Sequence, residues 1–278
     1  MYLQQAYVMK PPLGVQLNRS HPLAKGLVGC WLFNEGGGGY IYDASGNRNT
    51  GTLTNMASPP TATSGWGVGK FGSAIRFEGT DDYINCGNDS SLDITDAITI
   101  EAWVKPDNID GYRVIIGNGA TNWKEGYVLY LRATADEMLR LGINTGTQLK
   151  YATAGNIAVD TWSYVVSTFD GTSIYLYING IKYSPALTVN DQAVNVGDTV
   201  IGKNVGLLGD FNGSIDVARI YNRAKSASEV QQLYREPFCM FEPAYEWGML
   251  YAPSYIPYPL LSGMGGGIGE AMTGGIAR

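Results

Sequence analysis

The chain has 278 residues, 45 % of them hydrophobic and 16 % charged, which is enough apolar content for a full core and excludes a globally disordered chain. Its 19 Lys and Arg stand against 25 Asp and Glu, a net charge of −6 with no basic cluster, so a nucleic-acid partner held through its phosphates is excluded. Cys30, Cys86 and Cys239 are too few and too scattered for a disulfide scaffold or a zinc site, and no stretch reaches the about 20 apolar residues of a membrane helix.

The start, "MYLQQAYVMKPP", lacks the basic-then-apolar pattern of a signal peptide, and residues 1–25 read as a proline-bearing arm without periodicity. Strand-like runs then follow one another to about residue 222. "GLVGCWLF", "SAIRFEG" and "DYINCG" come first, with Cys30 and Cys86 as small buried apolar residues within strands. Between the last two, "GTDDY" with Asp81 and Asp82 reads as a hairpin turn. "AITIEAWVKP" alternates cleanly: Ile98, Ile100, Ala102 and Val104 share one face, and Thr99, Glu101, Trp103 and Lys105 share the other. That second face is expected to be solvated. "RVIIGNG", "GYVLYLRA" and "MLRLGIN" continue the series. In "WSYVVSTFDGTSIYLYINGIKY" the dipeptides Asp170-Gly171 and Asn179-Gly180 are hairpin turns, with Ile174, Leu176 and Ile178 facing one way and Tyr175 and Tyr177 the other.

"GSIDVARIYNRAKSASEVQQLY" changes period. Its first half is a late strand with Ile215, Val217 and Ile220 toward the core. Ser226 then stands as an N-cap with Glu229 three residues on, so a short helix near 226–235 buries Val230 and Leu233 and stops before Pro237. Short strands, frequent turns and the absence of alternating helices predict an all-β, two-sheet antiparallel sandwich over residues 26–235. The tail, 236–278, crowds aromatics and then glycines. Phe238, Phe241, Tyr245, Trp247 and Tyr251 give it apolar surface without a core of its own, so it reads as an assembly segment that the sandwich does not need for folding.

These runs, in this order, together with "DASGNRNTGTL", resemble the laminin-G-like, concanavalin-A-like lectin/glucanase superfamily in its jelly-roll form, over roughly residues 26–235. The arm and the "LYREPF" junction are similar to modules encoded in tailed-phage and prophage structural genes. The superfamily resemblance implies two antiparallel sheets and often a structural calcium ion. Carried onto this sequence, its ligands are Glu35, Asp43, Asn47 and Asp216. Against this stands the plainer reading, in which Asp43 and Asn47 cap turns and Asp216 pairs with Arg219 or another cation.

Glucanases of the superfamily carry paired carboxylates on one strand, as Glu-x-Asp-x-x-Glu or a close variant, and no such spacing occurs here. The single histidine, His21, lies in the arm, which leaves a nucleophilic triad without its base in the domain. Trp103, Trp123, Tyr127 and Tyr175, with Tyr130 and Tyr177, are the candidate aromatic platforms for a sugar, weighed against packing within the sandwich. The expected function is a non-enzymatic virion structural or decoration protein, at the virion surface, displaying a glycan-binding domain. Its partners would be other virion proteins or copies of itself through arm and tail, and cell-surface glycans. A free-standing calcium-dependent lectin of a bacterial surface is the alternative from the binding class, and a divergent glycoside hydrolase the one from the enzyme class.

Overall fold

The period-two runs fold into two antiparallel sheets, each of eight strands. The computed structural model describes residues 10–119, 126–132, 138–144, 149–189, 197–203 and 209–242. The first sheet runs β14 (Ile181–Thr188), β13 (Ser173–Ile178), β12 (Ser163–Asp170), β7 (Ala97–Pro106), β16 (Asn212–Tyr221), β5 (Ser73–Glu78) and β4 (Gly65–Val68), with β1 (Leu27–Trp31) also on β16. The second runs β11 (Leu149–Asn156), β10 (Met138–Asn144), β9 (Tyr127–Arg132), β8 (Tyr112–Asn118), β15 (Thr199–Ile201), β6 (Tyr83–Asn85), β3 (Gly51–Thr54) and β2 (Tyr40–Ile41). Ile98, Ile100, Ala102 and Val104 of β7 meet Leu129, Leu131, Leu139, Leu141 and Ile143 of the facing sheet in one core. Each large side chain buried there contributes about 1.5–3 kcal/mol relative to exposure.

Both hairpin turns form as their dipeptides predict. Asn179 and Gly180 take φ of 52° and 77°, the primed turn that matches strand twist, and the Asp170 carboxylate accepts from the N–H groups of Thr172 and Ser173. The "GTDDY" stretch is different. It joins β5 of one sheet to β6 of the other, so it is a crossover and not a hairpin, and Asp82 is buried there with its carboxylate accepting from the Glu78 N–H at 3.1 Å.

Strand β16 departs from simple alternation. Val217 sits at φ 55° in a bulge between Asp216 and Ala218, an uncommon conformation for a β-branched residue. The extra residue reverses the parity of the strand. Ile215, Ala218 and Ile220 reach the inter-sheet core, whereas Val217, Arg219 and Tyr221 turn outward. At the same place the neighbour of β16 changes from β5, paired through Ile215, to β1, paired from Ala218.

The outward face of the first sheet is not solvated, which corrects the expectation drawn from its alternation. Trp103, Tyr164, Val166 and Tyr177 lie beneath a cover made of Leu23 and Ala24 from the arm, Val230 and Leu233 from the helix α1 (Ala227–Arg235), and Phe238, Met240 and Phe241 beyond it. The capping box of α1 forms, with Ser226 accepting from Glu229 N–H and Glu229 accepting from Ser226 N–H. Arm and C-terminal stretch are laced together by Asn18 N–H to the Met240 carbonyl and Glu242 N–H to the Gln16 carbonyl, each 2.9 Å. Packing on the sandwich thus continues past the boundary drawn at residue 235. Beneath it Glu101, 0 % exposed, accepts from Arg219 at 2.5 Å and from the Tyr164 hydroxyl at 2.7 Å, and Arg219 donates onward to the Pro237 carbonyl. A strand face that carries a charged residue is read as wet because one cannot see in a single strand that its counter-charge stands opposite, 118 positions away.

Candidate functional site

Of the four residues expected to hold calcium, all make hydrogen bonds or ion pairs within the chain, and Glu35 keeps one oxygen, Oε2, buried without a partner. Asp43 organises its own loop: Oδ1 accepts from the N–H groups of Cys30 and Ser45, and Oδ2 from the Ser45 hydroxyl and the Asn49 N–H. Asn47 donates to the Val28 carbonyl at 2.9 Å, and Glu35 accepts from the Tyr42 N–H at 2.7 Å. Asp216 is completely buried at the β16 bulge. One oxygen accepts from the Phe71 N–H, and the other meets the Lys10 ammonium at 2.5 Å. That ammonium also donates to the carbonyls of Phe33 and Ser73. A side chain of the arm therefore stands where an ion bridging Asp216 and the β1 end would stand. A calcium site needs several free oxygens around one point; of these four residues Glu35 keeps a buried Oε2 without a partner, while the carboxylates of Asp43 and Asp216 are engaged within the chain. Burial pushes the Asp216 carboxyl up and the Lys10 ammonium down, opposed only in part by their mutual attraction.

Two other concave or acidic places exist among the described residues. A groove of about 380 Å³ runs between the arm and the β1–β2 connection, lined by Leu13, Val15, Asn34 and Tyr42. Of its polar groups, Asn34 donates to the Pro11 carbonyl and Asp43 is saturated. Glu78, Asp81 and Asp82 bring carboxylate oxygens within 4.8 Å of one another at the crossover, where Asp82 serves the turn.

The candidate aromatics divide sharply. Trp103 is 5 % exposed, stacked on Tyr234 at 5.7 Å and edged by Phe71, and it belongs to the covered face. Tyr127 lies in the inter-sheet core with its hydroxyl donating to the Leu92 carbonyl. Tyr177 packs in the covered face, and Tyr175 is half-buried against it with the Lys182 ammonium 3.7 Å over its ring. Phe238 and Phe241, expected in an assembly surface, are buried in that same cluster. Trp123, Tyr245, Trp247 and Tyr251 lie outside the described residues.

Tyr130 is placed otherwise. It lies on the outward side of the second sheet, buried at 1 % exposure with Val114 and Val128, and the register aligns its neighbours in rows. Tyr112, Arg132 and Met138 are opposite one another; Val114, Tyr130, Arg140 and Thr153 form the next row; Val128, Gly142 and Tyr151 the one after. The guanidinium of Arg132 lies 4.7 Å over the Tyr112 ring, Tyr112 and Tyr130 are 5.9 Å apart, and the guanidinium of Arg140 lies 4.7 Å over Tyr151. Burial pushes the Tyr130 hydroxyl up, and a hydrogen bond and the positive charge of Arg140 oppose it. Single-strand reading passed over Tyr112, Arg132 and Arg140. Their signal was present as outward parity in "RVIIGNG" and its preceding Tyr, "GYVLYLRA" and "MLRLGIN", and it needed the three strands aligned side by side.

A family model described as the concanavalin A-like lectin/glucanases superfamily matches residues 78–231, more than half of the chain. The chain belongs to this superfamily. Solved structures agree in fold at low identity. Domain 4 of an extracellular arabinanase from Geobacillus stearothermophilus, in complex with arabinotriose, gives a TM-score of 0.58 at 21 % identity, over 75 % of this chain and 98 % of that one. The binding domain of botulinum neurotoxin serotype D, in complex with N-acetylneuraminic acid, gives 0.57 at 14 %, over 76 % and 51 %. A Trypanosoma rangeli sialidase in complex with sialic acid gives 0.54 at 16 %, over 77 % and 33 %. Among curated proteins none matches this chain. The superfamily fold itself fixes no ligand. Among the described residues no helix is long and apolar enough to cross a membrane.

Proposed function

We propose that this superfamily member is a non-catalytic carbohydrate-binding domain that presents the outward face of its second sheet, and that it belongs to a larger particle as a virion structural or decoration protein. The observation that carries the binding reading is the row of tyrosines and arginines across β8 to β11. Sugars are held by aromatic faces that cover their apolar side and by planar hydrogen-bonding groups at the rim. Here Tyr151, 44 % exposed, and the half-buried Tyr112 offer ring surface beside Arg132 and Arg140, with Tyr130 packed beneath them at 1 % exposure. Solved relatives with sugar ligands in their crystals support the reading as precedent for the fold.

Absence of catalysis is supported by the state of Glu101, the carboxylate on the central strand. It is sealed at 0 % exposure and spent on Arg219 and Tyr164. General acid chemistry needs a carboxyl that reaches the glycosidic oxygen. The virion reading is supported by the aromatic composition of residues 243–278 together with an arm that is already folded onto the domain. Glycan-array binding by the full chain tests the first reading. A blank array under conditions where the domain is folded sinks it, and reducing sugar released from a bound glycan sinks the non-catalytic part. Antibody localisation in purified particles tests the second, and its absence from every particle fraction rejects it.

A further inference from the structure

Among the described residues the outward face of the second sheet carries cations without counter-charges. Among the described residues of β8 to β11 that face outward there is no Asp or Glu, and neither Arg132 nor Arg140 takes part in an ion pair there. Arg140 is only 7 % exposed, and its Nε and Nη1 have no hydrogen-bond partner. Arg219, the other deeply buried guanidinium among the described residues, leaves only Nε unpartnered and has both a carboxylate and a carbonyl. An unpartnered N–H on a buried cation is costly, because the hydration it lost is not replaced. Stacking on Tyr151 returns part of that loss through the ring face and leaves the in-plane donors free. Such a group is complementary to an anionic acceptor arriving in its plane.

We propose that the ligand of this face is a carboxylate-bearing sugar, a uronic or nonulosonic acid residue, whose carboxylate is taken by Arg140 with Arg132 as the second cation. The inference rests on the glycan-binding reading above and specifies its chemistry. The half-buried Tyr112 supplies ring surface beside the guanidinium, and Tyr130, packed against it at 5.9 Å and buried, holds Arg140 in place through its hydroxyl. Tyr151 is 44 % exposed and lies over Arg140, so a turn about its own side-chain torsions uncovers the guanidinium. Exposed side chains make such turns in picoseconds to nanoseconds. Phosphate or sulfate esters would meet the same charge, but the flat ring faces flanking the guanidinium favour a planar acceptor attached to a ring.

The test is calorimetric titration of the full chain with trigalacturonate, its methyl ester, 3′-sialyllactose and lactose. At least one of the two acids should bind about tenfold or more tighter than its neutral counterpart, the ordinary worth of a charge-assisted contact. Which acid does so identifies the source of the carboxylate. Arg140→Met should remove that preference, Arg140→Lys should keep part of it, and Arg132→Ala should reduce it. Equal affinity for acid and ester overturns the inference while leaving glycan binding intact. Failure to bind any of the four, and a blank array besides, removes both. The ester comparison uses the native chain, so it decides the matter even where a variant does not fold.

Discussion

The two sheets of this sandwich turn arginine and tyrosine outward in similar ways and finish them differently. On the first sheet Arg219, Tyr164 and Tyr221 lie under the arm, α1 and the 236–241 stretch, and the guanidinium is closed by Glu101 and the Pro237 carbonyl. On the second, Arg132 and Arg140 stack on tyrosines with no carboxylate among the described outward residues, and Tyr151 stays 44 % exposed. Composition does not separate the two faces. What separates them is the counter-charge: Arg219 has Glu101 and leaves only Nε unpartnered, whereas Arg140 has no carboxylate among the described residues and leaves both Nε and Nη1 unpartnered. A satisfied cation is structure, and an unsatisfied one is a place for something else to bind.

The largest expected effect comes from opening the satisfied side. Glu101→Ala leaves the Arg219 guanidinium buried without its charge and should cost about 3–5 kcal/mol, the usual penalty for breaking one partner of a buried pair. For a domain of this size that lowers Tm by roughly 10 °C. Arg140→Met, without ligand, should shift Tm by no more than roughly a third of that, because no counter-ion is abandoned. Thermal melts of the two variants side by side check this, and equal losses would erase the distinction between the faces.

Removing the cover should come next. A chain ending at Arg235 loses Phe238, Met240 and Phe241 from the covered face and the Pro237 carbonyl from Arg219. Burial of these side chains, the backbone hydrogen bonds to the arm and the contact with Arg219 together outweigh the entropy of ordering the stretch. A net loss of a few kcal/mol is expected relative to a chain ending at Glu242. Identical melting of the two truncations would show that the cover is ornamental.

Lys10 sharpens the comparison on the arm's side. Its ammonium is the partner of a fully buried Asp216. Lys10→Met should destabilise by about 1–3 kcal/mol, the desolvation cost of a buried group left without its partner. Calcium provides a second measurement. The native chain is expected to melt alike with excess calcium and with chelator, since the ammonium already fills the cation position. The variant, with Asp216 vacated, is expected to melt higher with calcium, because a ligand of the folded state alone stabilises by mass action. A chelator-sensitive native chain would return Glu35, Asp43, Asn47 and Asp216 to the role of ligands.

Much of this was legible beforehand. The alternation of β7, the two hairpin dipeptides and the capping box of α1 are local, and local chemistry is what a sequence displays directly. The covered face was not legible, because Glu101 and Arg219 each look like surface charges until 118 intervening positions are folded away. Val217 was assigned to the core because nothing in "GSIDVARIY" announces the bulge that reverses its parity. Lys10 lies 206 positions from Asp216 and carries no motif. The second face occupies the middle ground: Tyr112, Arg132 and Arg140 were visible as residue types, and only the cross-strand register made them neighbours.

The smallest effect concerns the helix that helps to close the first face, and pH reads it. Burial alone would raise the Glu229 carboxyl, but the Arg223 fork, the Ser226 N–H and the Lys225 ammonium hold it down to about 2 from an ordinary 4.5. The folded chain therefore binds this proton less readily than the unfolded one. The stability that Glu229 contributes is fully present above the unfolded pKa and is lost as pH falls from 4.5 toward about 2. Glu229→Gln should cost about 1 kcal/mol near neutrality, the usual worth of a cap, and progressively less in acid. Melting curves of native and Glu229→Gln chains at several pH values across that window test it. A gap between them that stays constant as the acid is added would mean that the cap holds the helix by shape alone and that its charge does nothing for the cover.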